Sequence, residues 1–329
     1  RRPIPSHLED FYQIEKHSML EKEPPNHTRL RSLVLRAFTT RKISQFNEEL
    51  DQLCHKLIDE FSEHEVDLLP TYAQKIPIII IARLLGIPEE MSDQLLSWSN
   101  AMVAMYQARR TTEIEKEANQ SAADFRVYLK AYIDERRKNP RDDLLSNLIQ
   151  AEELGEKLTT AELISTVVLL LNAGHEATVH TLGNGIKTLI ETRNPRKWTQ
   201  PDLINKTVEE ILRFDPPLHM FNRYAYEDLE LFDVKIQYGQ EVMLMLAASG
   251  RDKIQIENAY LFDPLRTVMP HFALGAGIHF CVGAPLARLE LQKALPILFK
   301  RCPNISIINP PVYANLYHFH GLTSLKIKP

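Results

Sequence analysis

Cys281 lies in the run Phe272-Ala-Leu-Gly275-Ala-Gly277-Ile-His279-Phe-Cys281-Val-Gly283-Ala-Pro285, a single cysteine among closely spaced glycines. Pro285 suits the first turn of a helix, where a backbone N–H would be unpaired anyway. The following Leu286-Ala-Arg288-Leu-Glu290-Leu-Gln-Lys is rich in helix formers. A cysteine just ahead of a helix N-terminus is expected to feel the positive end of the dipole and nearby unpaired N–H groups, which favour its thiolate. Gly275, Gly277 and Gly283 let the backbone turn sharply and lie close to something flat and bulky. A thiolate held in this way suits an axial ligand of haem iron.

The order Phe-x-x-Gly-x-Gly-x-His-x-Cys-x-Gly closely resembles the cysteine-ligand loop of the cytochrome P450 family, the haem-thiolate monooxygenases. The resemblance implies that Phe272 shields the sulfur, that the glycines admit the porphyrin, and that His279 reaches a haem propionate. For an isolated cysteine the simpler reading is a buried thiol beside a glycine-rich turn. Here further motifs accompany the loop.

Ala173-Gly174-His175-Glu176-Ala177-Thr178 resembles the oxygen-activating segment of the same family, usually Ala-Gly-x-acid-Thr. A glycine and a buried acid halfway along a helix invite a local widening in which water bonds freed carbonyls. Glu176 matches the acid, which the resemblance makes a proton-delivery group. Ala177 holds the usual threonine position, with Thr178 one residue on. One residue is about 100° around a helix, so Thr178 cannot replace the hydroxyl without a distorted backbone. Proton delivery is then expected to use Thr178 after local unwinding, ordered water, or a hydroxyl of the substrate.

Glu210-Ile-Leu-Arg213 is an acid–base pair at i, i+3, and before Asp215-Pro-Pro217 it resembles the family's structural Glu-x-x-Arg pair. The usual third partner precedes Phe-Asp-Pro, where this chain has Leu261. His27 and Arg31 are four apart and share one helix face. Their segment resembles the family's propionate-binding Pro-Pro-x-His-Thr-Arg-x-Arg, and Arg223 matches another propionate contact. Candidates for the substrate wall are Leu170, Ala173, Leu218–Phe221 and Phe319-His320, with Met102, Met105 and Tyr106 beside them.

The elements that must position these residues are mostly helical by periodicity. Helices are expected near 26–38, 43–62, 72–85, 91–106, 113–139, 206–214 and, longest, 159–191, which opens on the capping box Thr159-x-x-Glu162. Strands are expected near 221–226, 230–236, 241–247 and in the tail from 305 to 328. The fold class expected is therefore mainly α with a small β region, a P450-like single domain over 1–329 built around a long central helix. The opening Arg1-Arg-Pro-Ile-Pro-Ser-His has no methionine and reads as the middle of a fold, so the domain is expected to lack its N-terminal part.

Composition excludes several classes. The 329 residues have a formal net charge of −4, which gives no electrostatic reason to expect nucleic acid. Three cysteines without a C-x-x-C pair suggest neither a disulfide frame nor a zinc site. No apolar run reaches the ~18 residues of a membrane span, and a cytoplasmic monomer is expected. The resemblance implies haem b with Cys281 as thiolate ligand, O2, electrons ultimately from NAD(P)H through a ferredoxin and its reductase, and a small lipophilic substrate. Arg29, Arg36, Arg41 and Arg288 are expected to form the donor's docking face. The activity implied is insertion of one oxygen atom into a C–H bond; alternatives are a non-hydroxylating oxidase, a peroxygenase, or a haem carrier or sensor.

Overall fold

The computed structural model describes residues 4–36, 38–107, 110–153, 158–267, 270–316 and 318–329. Its longer helices are α1 (Glu9–Glu15), α2 (Asn26–Leu35), α3 (Phe46–Asp59), α4 (Lys75–Leu85), α5 (Ser92–Val103), α6 (Thr112–Lys138), α7 (Leu144–Glu153), α8 (Thr160–Glu191), α9 (Ile204–Phe214) and α10 (Ala284–Arg301). At ~1.5 Å per residue α8 is about 48 Å long. Its capping box forms as expected, with Thr159 accepting from the Glu162 N–H and the Glu162 side chain accepting from the Thr159 N–H.

α8 is the axis of the domain because it is apolar all round. Leu163, Val167, Leu171, Leu182, Ile186 and Leu189 have no exposed surface, and α1, α4, α5, α6, α7, α9 and α10 all pack against it. α4 is equally apolar, with Ile76, Ile78 and Ile80 fully buried. It ends at Gly86, whose φ of 72° is the left-handed C-cap that a side chain would resist.

The β structure is small. Strand β1 (Val66–Asp67) joins β6 (Ser306–Ile307) and β7 (Lys326–Lys328) in the antiparallel order β1-β7-β6. Strands β2 (Phe221–Tyr224) and β5 (Glu241–Leu244) pair with Phe221 opposite Leu244. Strands β3 (Leu229–Leu231) and β4 (Val234–Ile236) form a hairpin whose two turn residues, Phe232 and Asp233, both have positive φ, the hand that matches strand twist.

The expected pattern holds, with specific differences. α1 and α7 were not expected from periodicity. The stretch 43–62 breaks at Gln45 into two helices, Thr40–Ser44 and α3. The tail contributes only β6 and β7, its middle held by the isolated bridges Leu218–Phe319 and Tyr313–Leu322.

Candidate active site

The loop after the 3-10 turn Gly277–His279 presents Cys281 at the start of α10. Gly275 and Gly277 both have φ of 71°, so glycine is required at each by the backbone. The Cys281 N–H donates to the Leu274 carbonyl at 3.0 Å, which closes the loop. The thiol lies near the N–H groups of Gly283 and Ala284, the latter donating to the Cys281 carbonyl at 3.4 Å, and near Arg31 and Arg288. The donors expected at a helix start are therefore present, but the net direction is not the one expected. Burial outweighs them and raises the thiol's pKa.

Four cationic or potentially cationic groups gather beside the loop. Arg31 donates from Nη2 to the Phe280 carbonyl at 2.5 Å. The His27 and His279 rings are 4.3 Å apart, and Arg223, on β2, acts electrostatically on His279. Burial, then the neighbouring His279 and Arg31, lower the pKa of His27. For His279 burial again comes first, opposed by Glu23 and reinforced by Arg223 and Arg31. The His27 Nδ1 atom is buried with no hydrogen-bond partner among the described residues.

The loop is anchored from below by α9. Arg213 donates twice to Glu210, at 2.7 Å each, and also to the carbonyls of Gly250, Ala259 and Leu261. Glu210 accepts the Asp263 N–H at 2.8 Å. Leu261 thus takes part through its backbone, and the third charged partner is Arg266, 3.5 Å from Glu210. Sequence reasoning missed Arg266 because it follows the Phe-Asp-Pro stretch. It also missed Glu209, which binds Arg288 and His271 and ties α9 to α10 and to the chain ahead of Phe272. Arg288 is paired with Glu209 and Arg29 with Glu162. The side chain of Arg41 lies outside the described residues.

Across the domain, α8 is buried almost everywhere except at Ala173, Gly174, Glu176 and Ala177. The helix runs unbroken through them, so the expected local widening is not seen. Gly174 has a packing reason instead: a Cβ there would lie 3.2 Å from Ile81 of α4. Thr178 is buried and lies near Glu290 on α10, a fully buried acid whose pKa is pushed up to about 8 by desolvation and whose Oε1 has no hydrogen-bond partner among the described residues. Packing of α8 on α10 brings the Glu176 segment against the helix that follows Cys281.

Glu176 sits between two imidazoles. Its Oε2 is 3.2 Å from His175 Nε2 and its Oε1 is 3.2 Å from His180 Nε2. A cavity of about 200 Å³ adjoins it, lined by Asn100, Val103, Ala104, Tyr106, Gln107, Glu176, Leu316, His318 and Phe319. Phe319 and Tyr106 are where the wall was expected. Leu170, Met102 and Met105 belong to the apolar core instead. Leu218 is half-buried and forms a β-bridge with Phe319, and Phe221 is half-buried on β2.

These features fit haem. Cys281 supplies the ligand, the His27–Arg31–Arg223–His279 cluster suits two carboxylates, and Phe272, Ile278 and Phe280 present apolar side chains that are 41–49% exposed. Comparison with known proteins agrees. The family model described as Cytochrome P450 matches residues 1–198 and 197–304. The chain belongs to the cytochrome P450 family. It is 39% identical over 307 residues to the polyketide biosynthesis cytochrome P450 PksS of Bacillus subtilis, covering 92% of this chain and 74% of that one. It is 35% identical over 320 residues to the cytochrome P450 monooxygenase PikC of Streptomyces venezuelae, covering 95% and 75%. Among solved structures, P450BioI in complex with a hexadec-9Z-enoic acid-ligated acyl carrier protein superimposes with a TM-score of 0.94 at 33% identity, covering 99% of this chain and 86% of that one. This P450 is accordingly an oxidoreductase of the monooxygenase type, with haem as cofactor, O2 as oxidant and electrons that come ultimately from NAD(P)H. No helix among the described residues is long and apolar enough to cross a membrane.

Proposed function

We propose that residues 1–329 act as one haem-thiolate oxygenase domain in which Cys281 is the axial ligand and Glu176 the proton-delivering acid. The observation that carries this reading is the Cys281 loop, where a partly buried sulfur lies near two backbone N–H groups and Arg31. Haem, when bound, supplies O2 binding and the oxidising chemistry. The remaining work falls to the chain itself. His27, Arg31, Arg223 and His279 would hold the propionates, and Phe272, Gly275 and Gly283 would shape the loop that carries Cys281. The N–H groups of Gly283 and Ala284 moderate the charge on the sulfur. Glu176 passes protons from the cavity side, and the polar groups on the wall, Asn100, Gln107 and His318, orient the substrate.

The substrate is a small lipophilic molecule carrying hydrogen-bonding groups, and a ferredoxin with its reductase delivers the electrons. The mixed lining of the cavity supports the first point. So do relatives whose names include a polyketide biosynthesis enzyme, a mycinamicin IV hydroxylase/epoxidase and an enzyme solved with testosterone. The test is the absorption spectrum of the reduced, carbon monoxide-bound protein: wild type shows the thiolate-type Soret shift and Cys281→Ser loses it. A Cys281→Ser protein with an unchanged spectrum would overturn the assignment. Spectral titration against polyketides, fatty acids and steroids then identifies the substrate class.

A further inference from the structure

Ala177 removes the hydroxyl that would stand beside the acid, yet the carboxylate of Glu176 is not left loose. It is the only carboxylate among the residues lining the cavity. One oxygen faces His175, which is fully buried and whose Nδ1 is 3.0 Å from the Leu171 carbonyl and 3.5 Å from Ser99 Oγ. The other oxygen faces His180 Nε2, one helical turn further on. The Nδ1 atom of His180 is buried without a hydrogen-bond partner among the described residues. A side chain that merely filled space would not incur that cost.

The C-terminal loop is also shaped around this ring. A Cβ at position 321 would fall 1.8 Å from His180 Nδ1, so Gly321 is needed to admit the imidazole against Glu176. Phe319, which lines the cavity, lies 5.7 Å from the same ring, centroid to centroid.

We infer that His180 is the positioning residue of Glu176: with its Nε2 on one carboxylate oxygen, and His175 beside the other, it holds the acid facing the cavity where no hydroxyl at 177 can orient it. The inference rests on the reading of Glu176 as the proton-delivering acid. The electrostatics agree with the geometry. Burial works to raise the carboxyl's pKa, and the hydrogen bonds and charges of His175 and His180 overcome it, leaving Glu176 well below the usual carboxylate range. Those two imidazoles are the charged or titratable groups that act on it, while His318 shares its cavity from the C-terminal loop.

The test is a carboxyl-carbon NMR titration of protein carrying 13C-labelled glutamate, in the diamagnetic ferrous carbon monoxide complex, with the Glu176 signal assigned by its loss in Glu176→Gln. In wild type that carboxylate stays ionised to the acid limit of the fold. In His180→Phe, which keeps a ring but removes the donor, its acid dissociation constant falls at least tenfold. His180→Leu serves if the phenyl variant does not fold, and His180→Gln, whose amide N–H reaches the same oxygen, restores most of the wild-type value. An unchanged Glu176 midpoint in the Phe or Leu variant overturns the inference. Stopped-flow decay of the ferrous dioxygen complex in H2O and D2O separates the underlying reading. A Glu176→Gln protein with unaltered rate and isotope effect refutes proton delivery by Glu176, while the NMR titration still decides whether His180 holds it.

Discussion

The two sides of the haem site are built on different plans. On the cysteine side, backbone geometry and ion pairs determine one arrangement several times over: two glycines at positive φ, the Glu210–Arg213 pair with its five backbone or charged partners, and Glu209 bridging α9 to α10. On the α8 side a single acid is oriented by two imidazoles and a loop glycine. The first plan withstands substitution of most neighbours but not of its buried charges. The second is open to change, because few groups fix it and the cavity beside it is lined by side chains from three separate stretches.

Breaking the cysteine side should have the largest effect. Removing either partner of Glu210–Arg213 strands a buried charge, and Glu210→Ala or Arg213→Ala is expected to cost roughly 3–5 kcal/mol and to yield protein without haem. Denaturant unfolding and the haem-to-protein absorbance ratio check this. Equal stability to wild type would mean that the loop is held by its backbone bonds alone.

Glu290 joins the two sides and should show itself through pH. Its folded pKa is about 8 against a model-peptide value of 4.5, so above pH 4.5 the unfolded chain gives up a proton that the fold retains. Stability is fully present below 4.5, declines as pH rises toward 8, and levels off beyond. At about 1.4 kcal/mol per unit the decline is of the order of 5 kcal/mol, and Glu290→Gln should flatten it. Unfolding free energies measured from pH 5 to 8 decide the matter; parallel slopes in the two proteins would count against a neutral Glu290.

What the sequence made legible follows from distance along the chain. The cysteine loop, the capping box of α8, and the Glu210–Arg213 and His27–Arg31 pairs are local patterns, and each was placed correctly because its geometry is set within one or two turns. Arg266 with Glu210, and Glu209 with His271 and Arg288, are pairings between distant segments, and nothing in their local sequence marks the partner. His180 could have been found, since it lies four residues after Glu176 and a histidine there shares its face. A glycine and an acid halfway along a helix predict a local widening at 173–177; the glycine is explained instead by the approach of Ile81, which only packing reveals.

That correction gives the next test. Gly174→Val would place methyl groups where a Cβ alone already lies 3.2 Å from Ile81, and overpacking of this kind costs about 1–3 kcal/mol. If α8 were instead widened at this point, the same change would be borne with little loss, so thermal unfolding of the variant distinguishes packing from distortion.

The smallest effect returns to the cysteine side and asks how much of its redundancy lies at the surface. Glu209 is held down to about 2; burial opposes this, and the bonds from Arg288 and His271 prevail. The stability it contributes is present above pH 4.5 and is lost as pH falls through 2. Both Glu209 and Arg288 are more than a quarter exposed, so water screens the pair and its worth is about 1 kcal/mol or less. Glu209→Gln should therefore leave the thiolate-type Soret band in place at neutral pH and remove only a small acid-dependent increment of stability. A variant that instead loses haem would show that the bridge from α9 to α10 fixes the cysteine loop as firmly as the buried Glu210–Arg213 pair, and that the cysteine side has less redundancy than its geometry implies.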